Sequence, residues 1–435
     1  MRLIEFLQNH RISGARHYKE EKMKKFLLTT CCIFSLFYYF NTQANTTQSE
    51  TAQIKLAHTK PAKIVVLTSK GGNGHMAACS VLKDALPDCE IKLVYPIHDT
   101  FSHLLDGEEW YGTLLQHGWI RTTNFIARYP GEMLMRFKSS GLKKDFSKIL
   151  EQEKPDLLIS VIPLINYPAA CAAERYGIPF MLITLDADLE LWLSNMKKCR
   201  KHGFLKTNNI VVTVQKKTSR IEQQLNRKCI PLSCVHEVGA PLRKDFYTSK
   251  DIATIRKEWN IPANKKVVML MRGSTGSDKM IEYVKTLVKN DCSLHLLVCV
   301  GRNTQIIPKL NRIKQNSRVS FSIVQFTPKI PDLMAISDLL ITQPTPNVCN
   351  EAMHMKLPIL IDLTSTCLFW ETPTIDWIKL RGCGKEFKNM NHLNNLVGEY
   401  INKKKCFSPN MSPSIPHFNT EIHKIVMNLI KRPTN

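Results

Sequence analysis

The stretch KIVVLTSKGGNGHMAACSVLKDA, residues 63–85, joins three structural signals without a break. The β-branched run Lys63–Thr68 predicts a buried strand, and helical spacing over Met76–Ala85 predicts a helix. Glycines between them predict a tight turn whose backbone can approach a ligand closely, and His75 stands at the start of the helix. A strand, a glycine turn and a helix in this order open a βα unit of a parallel sheet.

The same alternation of short β-rich runs and longer amphipathic segments continues along the chain. The predicted strands of the first half are Lys63–Thr68, Glu90–Tyr95, Asp156–Val161, Phe180–Thr184, Ile210–Val214 and Val235–Val238. Those of the second half are Lys266–Met271, Leu294–Val300, Ser320–Phe326, Asp338–Thr342 and Pro358–Ile361. Alternation of this kind predicts an α/β fold with a parallel sheet in each half. Two doubly wound domains of this type would face each other across a cleft at the carboxyl ends of both sheets.

Composition divides the chain into five predicted segments. Residues 1–44 form a leader, with Met23 as an alternative start, and residues 45–61 form a polar tether. An N-terminal domain covers residues 62–248, and a C-terminal domain covers residues 249–390. Residues 391–435 form a helical tail that could pack on either domain, because the segment IHKIVMNLI has helical spacing.

The leader has the plan of a secretory signal. Two lysines after Met23 precede the apolar run Phe26–Phe40, and small residues at 42–44 offer a cleavage site. The run is shorter than the roughly 20 residues that span a bilayer, so cleavage is favoured and an uncleaved membrane anchor is the alternative. A membrane-associated protein, at the inner membrane or exported, is therefore expected.

The charge balance narrows the class of partner. The chain has 60 Lys and Arg residues against 37 Asp and Glu residues, a formal net charge of +23. Such an excess favours anionic partners: nucleic acid, an acidic membrane surface or a phosphorylated small molecule. No motif that reads RNA or DNA accompanies the basic residues, so nucleic acid is not expected. The cysteines lack metal-ligand spacing, and no metal site is predicted.

The glycine loop after the first strand raises one function that its residues exclude. KGGNGHM has the outline of a phosphate loop, in which the last glycine is followed by Lys and then by Ser or Thr. His75 and Met76 stand at those two positions, and a methionine cannot hold magnesium. A nucleoside triphosphatase is therefore rejected. The His75 imidazole can instead act as a base near neutral pH, although a loop histidine that only packs is the alternative.

Eight motifs, in order, resemble one known family. They are SKGGNGH at 69–75, KPDLLISVIPL at 154–164, ITLDADLELW at 183–192, VHEVGAPLRKDF at 235–246, MRGSTGS at 271–277, VCVGRN at 298–303, NEAMHMKLPILI at 350–361 and WETPTIDWIKLRGCGK at 370–385. The sequence resembles the inverting GT-B glycosyltransferases that include monogalactosyldiacylglycerol synthase, processive diacylglycerol glucosyltransferases and the lipid II-forming N-acetylglucosaminyltransferase. The resemblance runs from about residue 63 to residue 385, most of the chain after the leader.

The resemblance implies a fold, an activity and partners. It implies the GT-B fold, two Rossmann-like domains facing across a cleft. It implies transfer of a hexose from a nucleotide diphosphate sugar, uridine-linked, to a lipid hydroxyl such as that of diacylglycerol, with inversion and without a metal or other cofactor. The nucleotide sugar and the lipid would be its partners, and the positive charge is compatible with an anionic membrane surface.

The resemblance also assigns roles to residues of this chain. On the acceptor side it implies the loop glycines Gly71, Gly72 and Gly74, His75 as the acceptor base, and Asp186, which orients the acceptor or a base. On the donor side it implies that the diphosphate is bound by Gly273, Ser274, Gly276, Arg302 and the helix start near Asn347. It implies that Phe326 and Thr327 contact the nucleotide base. Glu351 would bind the ribose, and Glu371 would bind the sugar. Alternatives from the residues alone are a turn or helix-cap aspartate for Asp186, a strand-end core residue for Phe326 and solvated helix charges for the glutamates.

Two further features bear on function. Trp110, Tyr111 and Trp119, near Met133–Met135, predict an apolar acceptor flap, with an amphipathic core as the alternative. The turn before the Glu351 helix is Pro344-Thr345-Pro346, where the family has glycines, and Arg272 stands where it has glycine. These departures keep two alternatives open: a UDP-sugar epimerase of the same fold, and a drifted non-catalytic protein that binds a sugar nucleotide or a lipid.

Overall fold

Two six-stranded parallel sheets form the fold, and both belong to one compact unit of the chain. The structure is a computed structural model, and it describes residues 61–69, 73–96, 113–114, 117–199, 209–289, 293–402 and 417–431. The predicted leader, most of the predicted tether, Gly71, Gly72, Trp110 and Tyr111 lie outside these residues. Among the described residues, no helix has both the length and the apolar character needed to cross a membrane.

The first sheet has the strand order β2-β1-β3-β4-β5-β6, with every neighbouring pair parallel. Its strands are β1 Ala62–Leu67, β2 Cys89–Val94, β3 Leu157–Ser160, β4 Phe180–Ile183, β5 Ile210–Val214 and β6 Val235–Glu237. The order reverses direction between β1 and β3, so the chain leaves a crevice at the carboxyl ends of these two strands.

The second sheet has the order β12-β11-β10-β7-β8-β9, again all parallel. Its strands are β7 Lys266–Met271, β8 Leu294–Gly301, β9 Ser320–Gln325, β10 Leu339–Thr342, β11 Ile359–Asp362 and β12 Gly384–Phe387. Here the reversal lies between β7 and β10, and the residues that follow these two strands meet at that point.

Helices connect the strands and cover the sheets. Those of the first half are α1 Asn73–Ala85, α2 Ile120–Ile126, α3 Glu132–Glu153, α4 Asn166–Arg175 and α5 Ser219–Arg227, with a π-helical turn, Ala127–Gly131, between α2 and α3. Those of the second half are α6 Ile252–Glu258, α7 Met280–Leu287, α8 Ile307–Gln315, α9 Ile330–Ala335, α10 Pro346–His354, α11 Thr372–Leu380 and α12 Met390–Asn402. The last helix, α13, is Phe418–Ile430.

The burial of the strands explains why the sequence predicted them clearly. Strand β1 is fully buried from Ile64 to Leu67, as are Leu294–Val298 of β8 and Ile359–Leu360 of β11. Parallel strands covered on both faces read as continuous apolar runs, which is the pattern that predicted them. The predicted fold class, two doubly wound α/β domains of the GT-B type, is confirmed.

Strand β12 and helix α3 are among the elements that the sequence analysis did not predict. Strand β12, GKEF, is short and half-polar, and it lies at the edge of the second sheet. Helix α3 spans 22 residues and keeps many of them exposed, so its apolar stripe is narrow.

The two helices of the predicted tail pack on different halves. Helix α12 buries Leu393 and Val397 in the core of the second sheet. Helix α13 buries Ile422 and Val426 in the core of the first sheet, where the His423 Nδ1 atom lies 3.0 Å from the Ala85 carbonyl oxygen.

Candidate functional site

The predicted site residues gather where the two sheets turn their carboxyl ends toward each other. His75 follows β1, the loop Arg272–Ser277 follows β7, and Glu351 lies on α10, which follows β10. Strands β1 and β7 flank the reversal of strand order in their sheets, which is where open α/β sheets bind ligands.

The orientation of the His75 ring indicates which of its nitrogens carries the proton in the neutral form. Its Nδ1 atom lies 2.7 Å from the Val161 carbonyl oxygen, just past the end of β3. A carbonyl can only accept a hydrogen bond, so Nδ1 carries the proton and Nε2 is the basic nitrogen. The ring centroid lies 6.5 Å from that of Trp192, which forms an apolar wall beside it.

Asp186 is held by the same tryptophan. The Trp192 indole Nε1 donates a 2.8 Å hydrogen bond to its Oδ2 atom, and the amide of Asn166 holds the Trp192 carbonyl oxygen at 2.9 Å. Burial raises the pKa of Asp186 to about 7, and the neighbouring charge of Asp188 adds to this effect. A carboxyl group with such a pKa can hold or release a proton near neutral pH.

The loop after β7 is shaped to bring backbone close to an anion. Gly273 and Gly276 both have a φ of 73°, a conformation that favours glycine. A Cβ on Gly276 would lie 2.0 Å from the Val300 carbonyl oxygen, whereas one on Gly273 would meet open space. The Ser274 carbonyl accepts a 2.9 Å hydrogen bond from the Arg302 backbone N–H, which ties this loop to the end of β8.

A flat cationic and aromatic surface lies beside that loop. The Arg302 guanidinium stacks 4.3 Å from the centroid of the Phe326 ring, and 50% of Phe326 is exposed. Thr327 follows, and its hydroxyl accepts a 3.2 Å hydrogen bond from the Lys329 backbone N–H. The exposure of Phe326 argues against the alternative that it is a core residue at the end of its strand.

Glu351 lies on the inner face of α10, one turn after Asn347. Burial raises the pKa of Glu351 to about 7, and the positive charge of Arg243 opposes that rise. Its carboxyl group makes no side-chain hydrogen bond with the described residues, which leaves its oxygens available to hydroxyl groups of a ligand. Because Glu351 is half-buried by solvent exposure, a partly solvated helix charge stays the alternative.

Helix α10 contacts the first half at two points, and this brings the predicted donor and acceptor residues together. A Cβ on Gly74 would lie only 2.3 Å from the Asn347 Nδ2 atom, so the His75 turn lies against the start of α10. The Asn350 amide donates a 2.8 Å hydrogen bond to Gln215, whose own amide donates one of 2.7 Å to the Leu185 carbonyl oxygen. We therefore expect His75, Asp186 and Glu351 to line one crevice.

Glu371 completes the crevice from the second half. It is 6% exposed, and its Oε1 atom accepts a 3.1 Å hydrogen bond from the Thr345 hydroxyl. Burial raises the pKa of Glu371 to about 7, and the charge of Asp186 raises it further. The charge of a carboxyl group in the first half therefore affects the pKa of a carboxyl group in the second half.

The segment predicted as an acceptor flap also bridges the cleft. From α2, Asn124 donates a 2.9 Å hydrogen bond to the Cys367 carbonyl and accepts one of 3.1 Å from the Phe369 backbone N–H. The Arg128 guanidinium lies 4.5 Å from the centroid of the Phe369 ring. Trp119, Met133 and Leu134 are exposed, so the alternative of an amphipathic core does not hold for these three residues.

Relatives of known activity match most of the chain. It is 23% identical over 318 residues to a processive diacylglycerol β-glucosyltransferase of Bacillus subtilis, a match that covers 69% of this chain and 77% of that one. It is 24% identical over 366 residues to a probable chloroplastic monogalactosyldiacylglycerol synthase of Glycine max, covering 79% of this chain and 66% of that one. No family model matches the chain.

Solved structures share the fold. Acinetobacter baumannii MurG superposes with a TM-score of 0.58 at 12% identity, covering 85% of this chain and all of that one (100%). The chain therefore has the GT-B fold, and its curated relatives are glycosyltransferases. A UDP-GlcNAc 2-epimerase of Neisseria meningitidis, bound to UDP-GlcNAc, superposes with a TM-score of 0.53 at 13% identity, covering 85% and 99%. Because these identities are low, the superpositions establish the GT-B fold alone.

This GT-B glycosyltransferase also uses residues that the sequence analysis missed. Gln215 and Asn350 join the two halves, and Asn124 ties α2 to the loop before Glu371. Neutral amides at such large sequence separations carry no sequence signal for contact. The predicted family and enzyme class are confirmed by the curated relatives, whereas the roles of the individual site residues stay predictions.

Proposed function

We propose that this glycosyltransferase transfers a hexose from a UDP-sugar to a hydroxyl group of a membrane lipid such as diacylglycerol, with inversion and without a metal. The names of both curated relatives support a diacylglycerol-type acceptor, and a fold neighbour bound to UDP-GlcNAc supports the donor class. The observation that carries the proposal is the contact of α10 with the His75 turn and, through Gln215, with the backbone beside Asp186. One crevice therefore holds a ribose-binding carboxylate and an acceptor base.

The reaction follows from the positions of these groups. The lipid hydroxyl oxygen attacks the anomeric carbon of the hexose while the bond from that carbon to the β-phosphate oxygen breaks and leaves its electrons on UDP. His75 Nε2 takes the hydroxyl proton. Asp186, held by the Trp192 indole, orients the acceptor hydroxyl or the base.

The departing diphosphate needs stabilisation of negative charge. Backbone N–H groups of the Gly273–Gly276 turn, the Arg302 guanidinium and the amino end of α10 at Asn347 provide it. A metal is not required for this role in the mechanism, because fixed donors and a cation aimed at the oxygens do the same work. Glu351 accepts hydrogen bonds from the ribose hydroxyls, and Glu371 accepts them from the hexose.

An exposed face beside the cleft supports membrane association. Phe125, Tyr129 and Phe137 are 58%, 60% and 67% exposed along α2, the π-helical turn and α3. The exposed arginines Arg121, Arg128 and Arg136 alternate with them. Aromatic side chains interleaved with cations suit the headgroup region of an anionic bilayer. The same segment touches the loop before Glu371, so a lipid bound there would be delivered to the crevice.

The epimerase of the same fold is the second candidate, favoured by its structural similarity. A carboxyl pair with pKa values near 7, such as Asp186 and Glu371, suits proton transfer at a sugar carbon as well as orientation of a hydroxyl. The two reactions differ in what they consume, since an epimerase needs no acceptor.

The test is incubation of the full chain with labelled UDP-hexoses and diacylglycerol in anionic vesicles, followed by separation of lipid, nucleotide and free sugar. We expect a glycolipid and UDP in equal amounts, with the activity lost in His75→Ala and Glu351→Gln and kept in Glu151→Gln, an exposed glutamate on α3. An epimerised UDP-sugar formed without acceptor would favour the epimerase. UDP binding by calorimetry without any turnover would favour a non-catalytic binding protein.

A further inference from the structure

A row of hydrogen bonds runs beneath the donor side of the crevice, from Arg272 to Glu371. The Arg272 Nη2 atom donates to Gln343 Oε1 at 2.8 Å, and Gln343 Nε2 donates to the Thr345 hydroxyl oxygen at 2.9 Å. The Thr345 hydroxyl in turn lies 3.1 Å from Glu371 Oε1. The row crosses the carboxyl ends of β7 and β10, which are neighbours in the sheet, and ends at the first residue before α11.

The direction of every bond in this row is set by its first member. A guanidinium group only donates hydrogen bonds, so Gln343 must turn its oxygen toward Arg272 and its NH₂ group toward Thr345. The Thr345 oxygen is then already an acceptor, and its single proton points to Glu371. A carboxylate accepts that proton well, whereas a neutral carboxyl group accepts it less strongly.

Arg272 is itself fixed. Its Nη1 atom lies 2.5 Å from Asp362 Oδ2, and the Tyr283 hydroxyl contacts both of these groups. The Asp362 side chain is completely buried and that of Arg272 is 8% exposed, so the pair is shielded from water. The guanidinium beside it lowers the pKa of Asp362 against the effect of burial. The row therefore begins at a permanently charged donor.

The position of Thr345 indicates that this row of hydrogen bonds does more than stabilise the local fold. It occupies the N-cap position of α10, where a threonine hydroxyl normally accepts a hydrogen bond from a backbone N–H of the first turn. Its side chain makes no cap hydrogen bond. Pro346 at the first helical position removes one N–H that would need a cap, and the hydroxyl is directed at Glu371 instead.

We propose that Arg272, Gln343 and Thr345 are positioning residues that hold Glu371 as an oriented carboxylate for the hydroxyl groups of the donor hexose. This inference rests on the proposed function, and it assigns a task to two of the positions where the chain departs from the family pattern, Arg272 and Thr345. With one oxygen held by Thr345, the remaining lone pairs of Glu371 face the crevice and select hydroxyl groups by their position on the sugar ring.

The charged and titratable groups around Glu371 set the sign of its pH dependence. Burial and the Asp186 carboxylate favour the neutral form, whereas the Thr345 hydroxyl and the Arg272 charge favour the ionised form. The thiols of Cys349 and Cys367 also lie close enough to interact with it, and burial raises the pKa of each. Loss of the Thr345 hydroxyl therefore moves the pKa of Glu371 upward.

The experiment compares Thr345→Val, Thr345→Ser and Gln343→Glu with the wild type. We measure KM for the UDP-hexose, kcat and, by calorimetry, the Kd of UDP, between about pH 6 and about pH 9. Thr345→Val should raise KM for the UDP-hexose about tenfold, leave the Kd of UDP within about twofold, and move the acid limb of the pH profile to higher pH. Thr345→Ser should restore both values.

Gln343→Glu tests the direction of the row with almost no change of shape. A glutamate still accepts from Arg272 but has no NH₂ group, so the Thr345 proton turns toward it and leaves Glu371. We expect the same rise in KM as in Thr345→Val. A wild-type KM and pH profile in both variants would overturn the proposal.

A readout without turnover separates this inference from the proposed function. An infrared titration, taken as the difference between a variant and its Glu371→Gln counterpart, reports the ionisation of Glu371 directly. If the wild type transferred no sugar, the transferase proposal would fail. The titration would still decide the present proposal: a higher midpoint in Thr345→Val supports it, and an unchanged midpoint refutes it.

Discussion

The contact of Gly74 with Asn347 makes Gly74→Ala the sharpest test of a shared crevice. A Cβ at residue 74 would lie 2.3 Å from the Asn347 Nδ2 atom, and ordinary contact needs about 1 Å more. The two residues belong to opposite halves, and the atom that the added methyl group meets is the end of the flexible Asn347 side chain. That side chain must rotate away from the His75 turn, so its amide leaves the diphosphate side of the proposed crevice. We therefore expect kcat/KM to fall roughly tenfold, as in Asn347→Ala, because one hydrogen bond is lost.

The thermal stability of Gly74→Ala should not fall together with its activity. Gly74 lies in the first turn of α1, where alanine is favoured over glycine by up to about 1 kcal/mol. Calorimetric unfolding should therefore show an unchanged or slightly higher Tm. The matched control is Gly141→Ala on α3, where a Cβ meets nothing within 4 Å, and it should raise the Tm and keep full activity.

A double-mutant cycle tests whether the loss of activity in Gly74→Ala arises from its contact with Asn347. Asn347→Ala removes the atom that the new Cβ would meet, so adding Gly74→Ala to it should cost little beyond the single Asn347→Ala change. Full activity of Gly74→Ala, or an equal loss in both backgrounds, would refute a crevice closed by this contact.

Three further predictions concern stability, pH and the membrane. Arg272→Met should lower the free energy of unfolding by about 3–5 kcal/mol in urea titrations, because it leaves Asp362 buried without its partner, and Arg272→Met/Asp362→Leu should recover much of that loss. The pKa of Glu351 in the folded protein, about 7, lies above its ordinary value of 4.5, so the unfolded chain releases this proton first. Stability of the ligand-free protein should fall as pH rises from about 4.5 to about 7, and Glu351→Gln should flatten this part of a plot of Tm against pH. Phe137→Ser should weaken sedimentation with anionic vesicles about tenfold, whereas Leu380→Ser, which changes a more exposed apolar residue on α11, should not. Equal effects of the two changes would contradict a specific membrane face.

The agreement between predicted and observed strands has a simple physical basis. Predicted strands such as Ile210–Val214 and Lys266–Met271 match the structure at both ends, because strands buried on both faces need continuous apolar side chains. Strand β12, GKEF, has no continuous apolar run, because an edge strand pairs on one side only and can carry charged side chains. Helix α3 failed because its exposed surface leaves too narrow an apolar stripe to detect.

Site residues that directly follow a strand could be predicted from the sequence. Features of the site that depend on contacts between the two halves could not. His75, Gly273 and Glu351 could be selected because glycine turns and acidic helices after buried strands are local features. The tautomer of His75 depends on the Val161 carbonyl, 86 residues away, and the position of α10 depends on Gln215. Neither contact has a sequence signature, because a carbonyl oxygen is common to all residues and a glutamine is common on surfaces.

The unusual turn before α10 shows why a departure from a family pattern does not by itself indicate lost function. Pro346 restricts a backbone that the family's glycine would leave free, which lowers the entropy lost on forming this turn. The residue before it, Thr345, gains a hydroxyl group that a glycine lacks, and that hydroxyl reaches Glu371. Arg272, the second departure, supplies the charge that orients the intervening Gln343. The two changes are joined by hydrogen bonds that end at one carboxylate, so they can orient a sugar-binding group rather than remove one.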